Sequence, residues 1–241
     1  RNCEGAKFVD VTPGNVKVNG PALALDFNGD GKLDLFFAGS YRYFTGDGNF
    51  NFTPAELPPT DEQVSLGACA ADLDGDGWVD IYFTGYEIWE KNQSFPDYIL
   101  RNDHGRFEIV WKSPPAQTMR CRGGVTACDF NADGKPEIYV ANYRLQPNFL
   151  CFFDGFTPDN RAREYGVAGS ERPNVKFKTD LGVEYPSSGH TISAVWGDFD
   201  NDGWFDLFVG NFSHPPDYQD RPQFLQNSGK ASNYRFVDRS K

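Results

Sequence analysis

The sequence predicts an all-β chain, folded as a β-propeller or part of one from about four repeated units. Three observations predict it. An acidic nine-residue pattern returns four times, as DFNGDGKLD (26–34), DLDGDGWVD (72–80), DFNADGKPE (129–137) and DFDNDGWFD (198–206). Each copy runs into a segment rich in aromatic and β-branched residues, LDLFFAG, VDIYFTG, PEIYVAN or FDLFVGN, which reads as a short buried strand. Units also end in two apolar runs around a polar turn, as in YILRNDHGRFEIV (98–110) and QFLQNSGKASNYRFVDRS (223–240), so a unit counts four strands.

The four acidic copies fit D-x-[DN]-x-D-G-x-x-[DE]. Their first Asp residues, Asp26, Asp72, Asp129 and Asp198, lie 46, 57 and 69 residues apart. Position three is Asn28, Asp74, Asn131 and Asp200, and position five is Asp30, Asp76, Asp133 and Asp202. Glycine stands at six, Lys32, Trp78, Lys135 and Trp204 at seven, and Asp34, Asp80, Glu137 and Asp206 at nine. Hard cations take six to eight oxygens at roughly 2.3–2.6 Å from carboxylates, amides and backbone carbonyls. Oxygens at one, three and five curl round an ion only if the chain turns sharply, and the glycine permits that turn. The carbonyl at seven and the carboxylate at nine complete the shell. An acidic solvated turn is the plainer alternative. Against it, positions two and eight are mostly large and apolar (Phe27, Leu73, Phe130 and Phe199; Leu33, Val79, Pro136 and Phe205). The expected cofactor is calcium, about four structural ions, because an irregular oxygen-rich shell suits the larger ion better than magnesium. An EF-hand would need Glu at position twelve, where this chain has Phe37, Phe83, Val140 and Val209. The loop therefore heads a β-strand.

Composition agrees. Aromatics make up 16% of the 241 residues, with 22 Phe against one Met, which favours sheet packing over a helical bundle. One domain spanning 1–241 is expected, with no membrane span. A net charge of −11 argues against a nucleic-acid partner. Fourteen of the acidic side chains lie in the four loops, so four calcium ions would bring the net charge to about −3 and couple metal binding to folding. The sequons at Asn51, Asn92 and Asn211 make glycosylation and an extracellular, secreted location the expectation. Beginning at Arg1 without a leader, the chain reads as a mature or excised piece. Five cysteines (3, 69, 121, 128 and 151) allow up to two disulfides, with Cys69 and Cys128 read as buried small hydrophobes.

GHTISAVWGDFDNDGWFDLFVGNF (189–212) resembles the FG-GAP/VCBS repeat, and with EYGVAG (164–169) and FVDVT (8–12) it resembles the version found in proteins of the ASPIC/UnbV and cartilage-acidic-protein type. The resemblance runs over nearly the whole chain. It implies a β-propeller with a calcium ion in a loop of each blade, as in the integrin α head, with ligands at positions one, three, five and nine. Asn at position three in two copies, and Pro136-Glu137 in the third, depart from that pattern. The family's propellers commonly have seven blades, whereas four calcium units occur here. The F-V-D strand also occurs at both chain ends, leaving one strand over. This leaves three alternatives open: a fragment of a longer propeller, a closed four-bladed ring, or self-association through an unpaired blade strand.

No catalytic residue is predicted. His104, His190 and His214 stand in turns or at a strand entry, outside any nucleophile elbow or triad setting, and read as surface or cap histidines. The expected function is a calcium-stabilised extracellular propeller that binds, adheres or assembles, with a protein or glycan as partner. One alternative is a calcium-dependent lectin using exposed aromatics such as Tyr41 or Tyr143. A second is a polysaccharide lyase whose cleft would involve the insertion at 154–188, with Arg161, Arg163, Arg172, Lys176 and Lys178.

Overall fold

The computed structural model describes residues 2–3, 7–61, 64–114, 122–170, 172–178, 184–213 and 220–240. Its fold is all-β, with several antiparallel sheets and little helix, a four-residue turn of α-helix at Ala162–Tyr165 being the longest helical piece described.

Four of the sheets have four strands each, laid down in chain order. The first comprises Ala22–Leu25, Asp34–Phe37, Arg42–Gly46 and Phe52–Ala55. The second comprises Ala68–Ala71, Asp80–Phe83, Tyr98–Asp103 and Arg106–Lys112. The third comprises Arg122–Cys128, Glu137–Asn142, Phe149–Asp154 and Thr157–Asn160. The fourth comprises Thr191–Gly197, Asp206–Asn211, Gln223–Asn227 and Phe236–Asp238. Each acidic loop joins the first strand to the second, and the register is the same every time. The last residue of strand one faces loop position nine: Leu25 opposite Asp34, Ala71 opposite Asp80, Cys128 opposite Glu137, Gly197 opposite Asp206.

Side chains alternate between the faces of a strand, and here both faces of the inner sheets are buried. In the second strand of sheet two, Ile81 and Phe83 pack toward sheet one while Tyr82 packs toward sheet three. Three apolar cores result, one between each pair of consecutive sheets. Phe27, Phe36 and Tyr43 meet Ile81, Phe83 and Leu100 in the first. Cys69, Leu73 and Tyr82 meet Ile138, Val140 and Cys151 in the second. Phe130, Tyr139 and Leu150 meet Leu207, Val209 and Phe236 in the third. The aromatic content read from composition is spent here: Phe27 stands edge-on to Phe107 at 5.6 Å, and Phe130 stacks on Trp196 at 5.7 Å. Truncating such a buried ring costs about 3–5 kcal/mol.

The two F-V-D segments have different fates. The C-terminal one is the outer strand of sheet four, whereas among the described residues Lys7–Phe8 pairs with Asn2–Cys3, and Val9, Val11 and Pro13 then lie against sheet one. Cys69, Cys128 and Cys151 are free thiols, the first and third buried and Cys128 half-buried, while Cys121 falls outside the described residues. In the 154–188 insertion, Arg172–Lys178 pairs with Glu184–Ser187 as a separate two-stranded sheet. Among the described residues no helix is long and apolar enough to cross a membrane.

Candidate metal centres in the acidic loops

Within each loop the carboxylates are organised by backbone N–H groups. Asp26 accepts from Gly29 (2.8 Å) and Asp30 (3.2 Å) on Oδ1 and from Gly31 (2.7 Å) on Oδ2. Asp72 accepts from Gly75 (2.7 Å), Asp76 (3.1 Å) and Gly77 (2.9 Å) in the same way. Asp129 and Asp198 hold the amides of Asp133 and Gly134, and of Asp202 and Gly203, at 2.9–3.1 Å. Position three caps the amide of position five at Asn28, Asp74, Asn131 and Asp200. Position five in turn caps position seven, with Lys32, Trp78, Lys135 and Trp204 each donating its N–H at 2.9 Å. The turn at position six has φ of +80° at Gly31, +89° at Gly77, +87° at Gly134 and +92° at Gly203, a region L side chains avoid. Position four is left-handed as well, and in the third and fourth loops it is not glycine but Ala132 (φ 54°) and Asn201 (φ 59°).

Where positions three and five are Asp, one carboxylate oxygen thus serves the backbone and the other is left for a further partner. In every loop a donor from the chain reaches such an outward group. Lys32 Nζ lies 3.6 Å from Asp30 Oδ2. Arg101 spans Asp74 at 2.9 Å and Asp76 at 2.8 Å, and those two bonds hold its guanidinium more basic than usual. Asn131 Nδ2 donates to Asp133 at 3.1 Å, and Gln226 Nε2 donates to Asp200. These outward groups are the candidate contacts for a cation. The carboxylate oxygens of Asp72, Asp74 and Asp76 lie within 4.8 Å of one another, as do those of Asp198, Asp200 and Asp206, so both groups could hold a metal ion.

Position nine is buried in all four loops. Its carboxylate accepts the amide of position two and, in three loops, an amide at the end of the third strand. Asp34 takes Phe27 and Gly46, Asp80 takes Leu73 and Asn102, and Asp206 takes Phe199 and Asn227, at 2.8–3.2 Å. Burial, reinforced by Asp74 and Asp76, pushes Asp80 up to about 6 against those bonds. Asp206 is likewise raised, by burial first. Glu137 is pushed up to about 8 by burial and then by Asp133 and Asp129, and its Oε2 is buried without a hydrogen-bond partner. A buried carboxylate left in that state fits a site meant for a cation, because a cation would supply the missing charge and contact.

Beside these predicted ligands the structure places residues that the motif did not point to. The side chain of Asn102 donates to the carbonyls of Phe27 (2.9 Å) and Val79 (3.1 Å), joining loop one to loop two. Asn227 repeats this for Phe130 and Phe205, both at 3.2 Å. Between sheets two and three Arg122 pairs with the buried Asp97, which also accepts from Tyr82 (2.8 Å) and Gly85 (2.8 Å). The only sequence signal for the clamps is an Asn closing the third strand before a turn glycine, in NDHG and NSG.

Asn51 and Asn92 are exposed, though Asn51 Nδ2 donates to Asp47 (2.7 Å), and the side chain of Asn211 donates to Arg221 O (2.8 Å) and accepts from Thr191 (2.8 Å). Of the histidines, His104 is exposed and lies tilted against Trp78 at 4.1 Å, and His190 is buried against Asp220 at 3.1 Å; His214 lies outside the described residues. Burial of His190 departs from the surface reading and follows from its place at the head of a strand in sheet four. Tyr41 is not an open platform either. It packs on Phe36 and Phe83, and its hydroxyl donates to Pro58 O at 2.7 Å.

At the strand ends away from the loops lies a hollow of about 440 Å³, lined by Leu66, Tyr86, Tyr143, Ile192 and Phe212 among others. Tyr86, Tyr143 and Phe212 each stand fourteen residues after the first Asp of a loop, so the three aromatics are repeat equivalents. A second hollow, of about 420 Å³, has Arg161 and Arg163 facing Asp159 and Glu164.

No curated protein matches the chain in sequence. Among solved structures it is similar to a crystal structure of BBS1N in complex with ARL6DN, soaked with lead, at 11% identity and a TM-score of 0.42, over 79% of this chain and 50% of that one. The chain thus spans about half the length of that neighbour. In sequence, the family model for the FG-GAP-like repeat matches residues 26–83, from the first Asp of loop one to position twelve of loop two. On that match, residues 26–83 carry an FG-GAP-like repeat, consistent with the FG-GAP/VCBS repeat family.

Proposed function

We propose that the chain is a calcium-stabilised β-propeller protein of the FG-GAP/VCBS kind, each four-stranded sheet being a blade, which works outside the cell as a binding or assembly module and not as a catalyst. One observation carries this reading. The same cage of oxygen-bearing side chains at positions one, three and five, with a buried acid at position nine, recurs at the same point of four successive sheets. A solvated acidic turn has no reason to bury its last carboxylate. Calcium would link positions one, three, five and nine and so fasten strand one to strand two, a structural role. The test is calorimetric titration of chelated protein with calcium, read alongside thermal melting. About four bound ions and a rise in melting temperature are expected; no binding, or an unchanged melt, would sink the reading.

Glycan binding is the second reading, and the hollow between Tyr86, Tyr143 and Phe212 favours it, since aromatic faces stack on sugar rings. Loss of glycan-array signal in Phe212→Ala, with the melt unchanged, would move the assignment there. A lyase acting on acidic polysaccharide has less support: in the 420 Å³ hollow two arginines face two carboxylates, leaving no net positive charge to draw such a substrate.

A further inference from the structure

We infer that Asn28 is a self-modifying residue, set in loop one to convert its side-chain amide into an acid through a cyclic imide formed with the backbone nitrogen of Gly29. The inference is independent of the metal assignment. Asn-Gly is the dipeptide in which this ring closes most readily, because glycine puts no side chain in the way of the attack. The chain has two such pairs, Asn19-Gly20 and Asn28-Gly29. In the second, the N–H of Gly29 donates to Asp26 Oδ1 at 2.8 Å, inside the reach of about 2.6–3.2 Å that a general base needs. The side-chain oxygen of Asn28 accepts the N–H of Asp30 at 3.0 Å, which is where an oxyanion donor belongs. Sheet two holds the pair from outside. A Cβ on Gly29 would come within 2.7 Å of the Trp78 ring, and one on Gly105 within 2.7 Å of Asn28 Cβ. Asn19 differs: its oxygen accepts from the Ser40 hydroxyl at 2.8 Å, and a Cβ on Gly20 would meet Gly39 Cα at 2.7 Å. Among the described residues no carboxylate takes the N–H of Gly20.

The other loops each lack one part of this combination. Loop two has the same contact, Gly75 N–H on Asp72 at 2.7 Å, but position three is Asp74, which has no amide nitrogen to expel. Loop three has the amide, in Asn131, but Ala132 follows it and its Cβ hinders the attack. Loop four has Asp200 followed by Asn201. The step balances with water alone. Gly29 N bonds to Asn28 Cγ, its proton passes by way of Asp26 to Nδ2, and Nδ2 leaves as ammonia. Water then opens the imide at either of its two carbonyls. One product is an aspartate at position 28, which gives loop one the acid that loops two and four already hold at position three. The other is an isoaspartate, which lengthens the main chain by a methylene inside the turn.

Mass mapping of the chain held in chelator at neutral pH tests this. Peptide 18–32 carries both Asn19 and Asn28, and fragmentation assigns the change to one or the other. In the folded chain Asn28 should convert at least about tenfold faster than Asn19, and than Asn28 in a free 18–32 peptide, where no base is held in place. Asp26→Asn keeps an oxygen to accept the Gly29 N–H but is no base. It should slow the conversion by about a hundredfold with unchanged circular dichroism. Ala132→Gly completes the combination in loop three, so Asn131 should then convert faster in the folded variant than in its own free peptide. A folded chain in which Asn28 reacts no faster than the free peptide would overturn the proposal. So would a rate indifferent to Asp26→Asn.

Discussion

The side-chain nitrogen of Asn102 donates at 2.9 Å to the carbonyl of Phe27, a residue of the preceding sheet 75 positions earlier. The same amide holds its own sheet's Val79, while its oxygen accepts the N–H of Gly105 at 2.7 Å. One fully buried amide thereby ties two acidic loops to each other. Asn102→Ala strands two buried carbonyls and one amide, and a loss of about 2–3 kcal/mol is expected. Asn227→Ala should behave alike at the seam between sheets three and four. A denaturant midpoint unchanged in both would contradict the clamp.

Asp198 gathers the amides of Asp202 and Gly203 and would also bind the ion, so its loss acts twice. Asp198→Ala should lower the calcium stoichiometry by one and cut the calcium-induced rise in melting temperature. Calorimetry reporting the full number of ions would argue against this loop as a site.

Arg101 bridges Asp74 and Asp76 where an ion would otherwise sit. Arg101→Gln should lower the melting temperature in chelator only slightly, as solvent screening leaves an exposed pair little net energy. It should also enlarge the response to calcium, since the ion no longer has to displace a guanidinium. Equal calcium responses in variant and wild type would refute the competition.

Metal-free protein should grow less stable as pH rises. Glu137 is raised from an ordinary 4.5 to about 8, and Asp80 from 3.8 to about 6. A raised carboxyl pKa means that the folded state prefers the proton. Its stabilisation is complete below the unfolded value and is lost as pH climbs through the folded value. In chelator the melting temperature should therefore fall between about pH 4 and pH 8, and calcium should abolish the fall by taking the proton's place. A flat profile in chelator would refute it.

Ala132 is left-handed at position four of the third loop, where loops one and two have glycine. Ala132→Gly should stabilise the protein by about 0.5–1 kcal/mol by removing the Cβ penalty. Calorimetric melting would register that gain, and a loss of stability would mean the alanine methyl has a packing role.

Much of the fold was legible because its repeat is covalent. The spacing of Asp26, Asp72, Asp129 and Asp198 marks the turn between strands one and two in every sheet, and the aromatic runs after it are second strands in each case. The outer hairpins at 98–112 and 223–238 also fall where their turn residues put them. What sequence could not disclose is long-range. Nothing near Asn102 says that its amide reaches Phe27, and nothing near Arg122 names Asp97, because those partners are brought together only when sheets stack. Position nine was legible as a ligand type but not as a buried acceptor of two backbone amides, a role set by the third strand. The Lys7–Phe8 segment looks like a blade strand, yet among the described residues it pairs with Asn2–Cys3 in a separate two-stranded sheet.

The three seams between sheets are not alike, and this has a mechanical consequence. The outer two are stitched at their loop ends by a neutral amide over phenylalanine, whereas the middle one has Leu73 in place of the ring and, at the strand ends away from the loops, an Arg122–Asp97 ion pair. Charge buried at a junction is held only while both partners stay dry. Under partial denaturation the molecule should therefore part at its middle into two pairs of sheets, with backbone deuterium uptake appearing first along Arg122–Cys128 and last beneath Phe27 and Phe130.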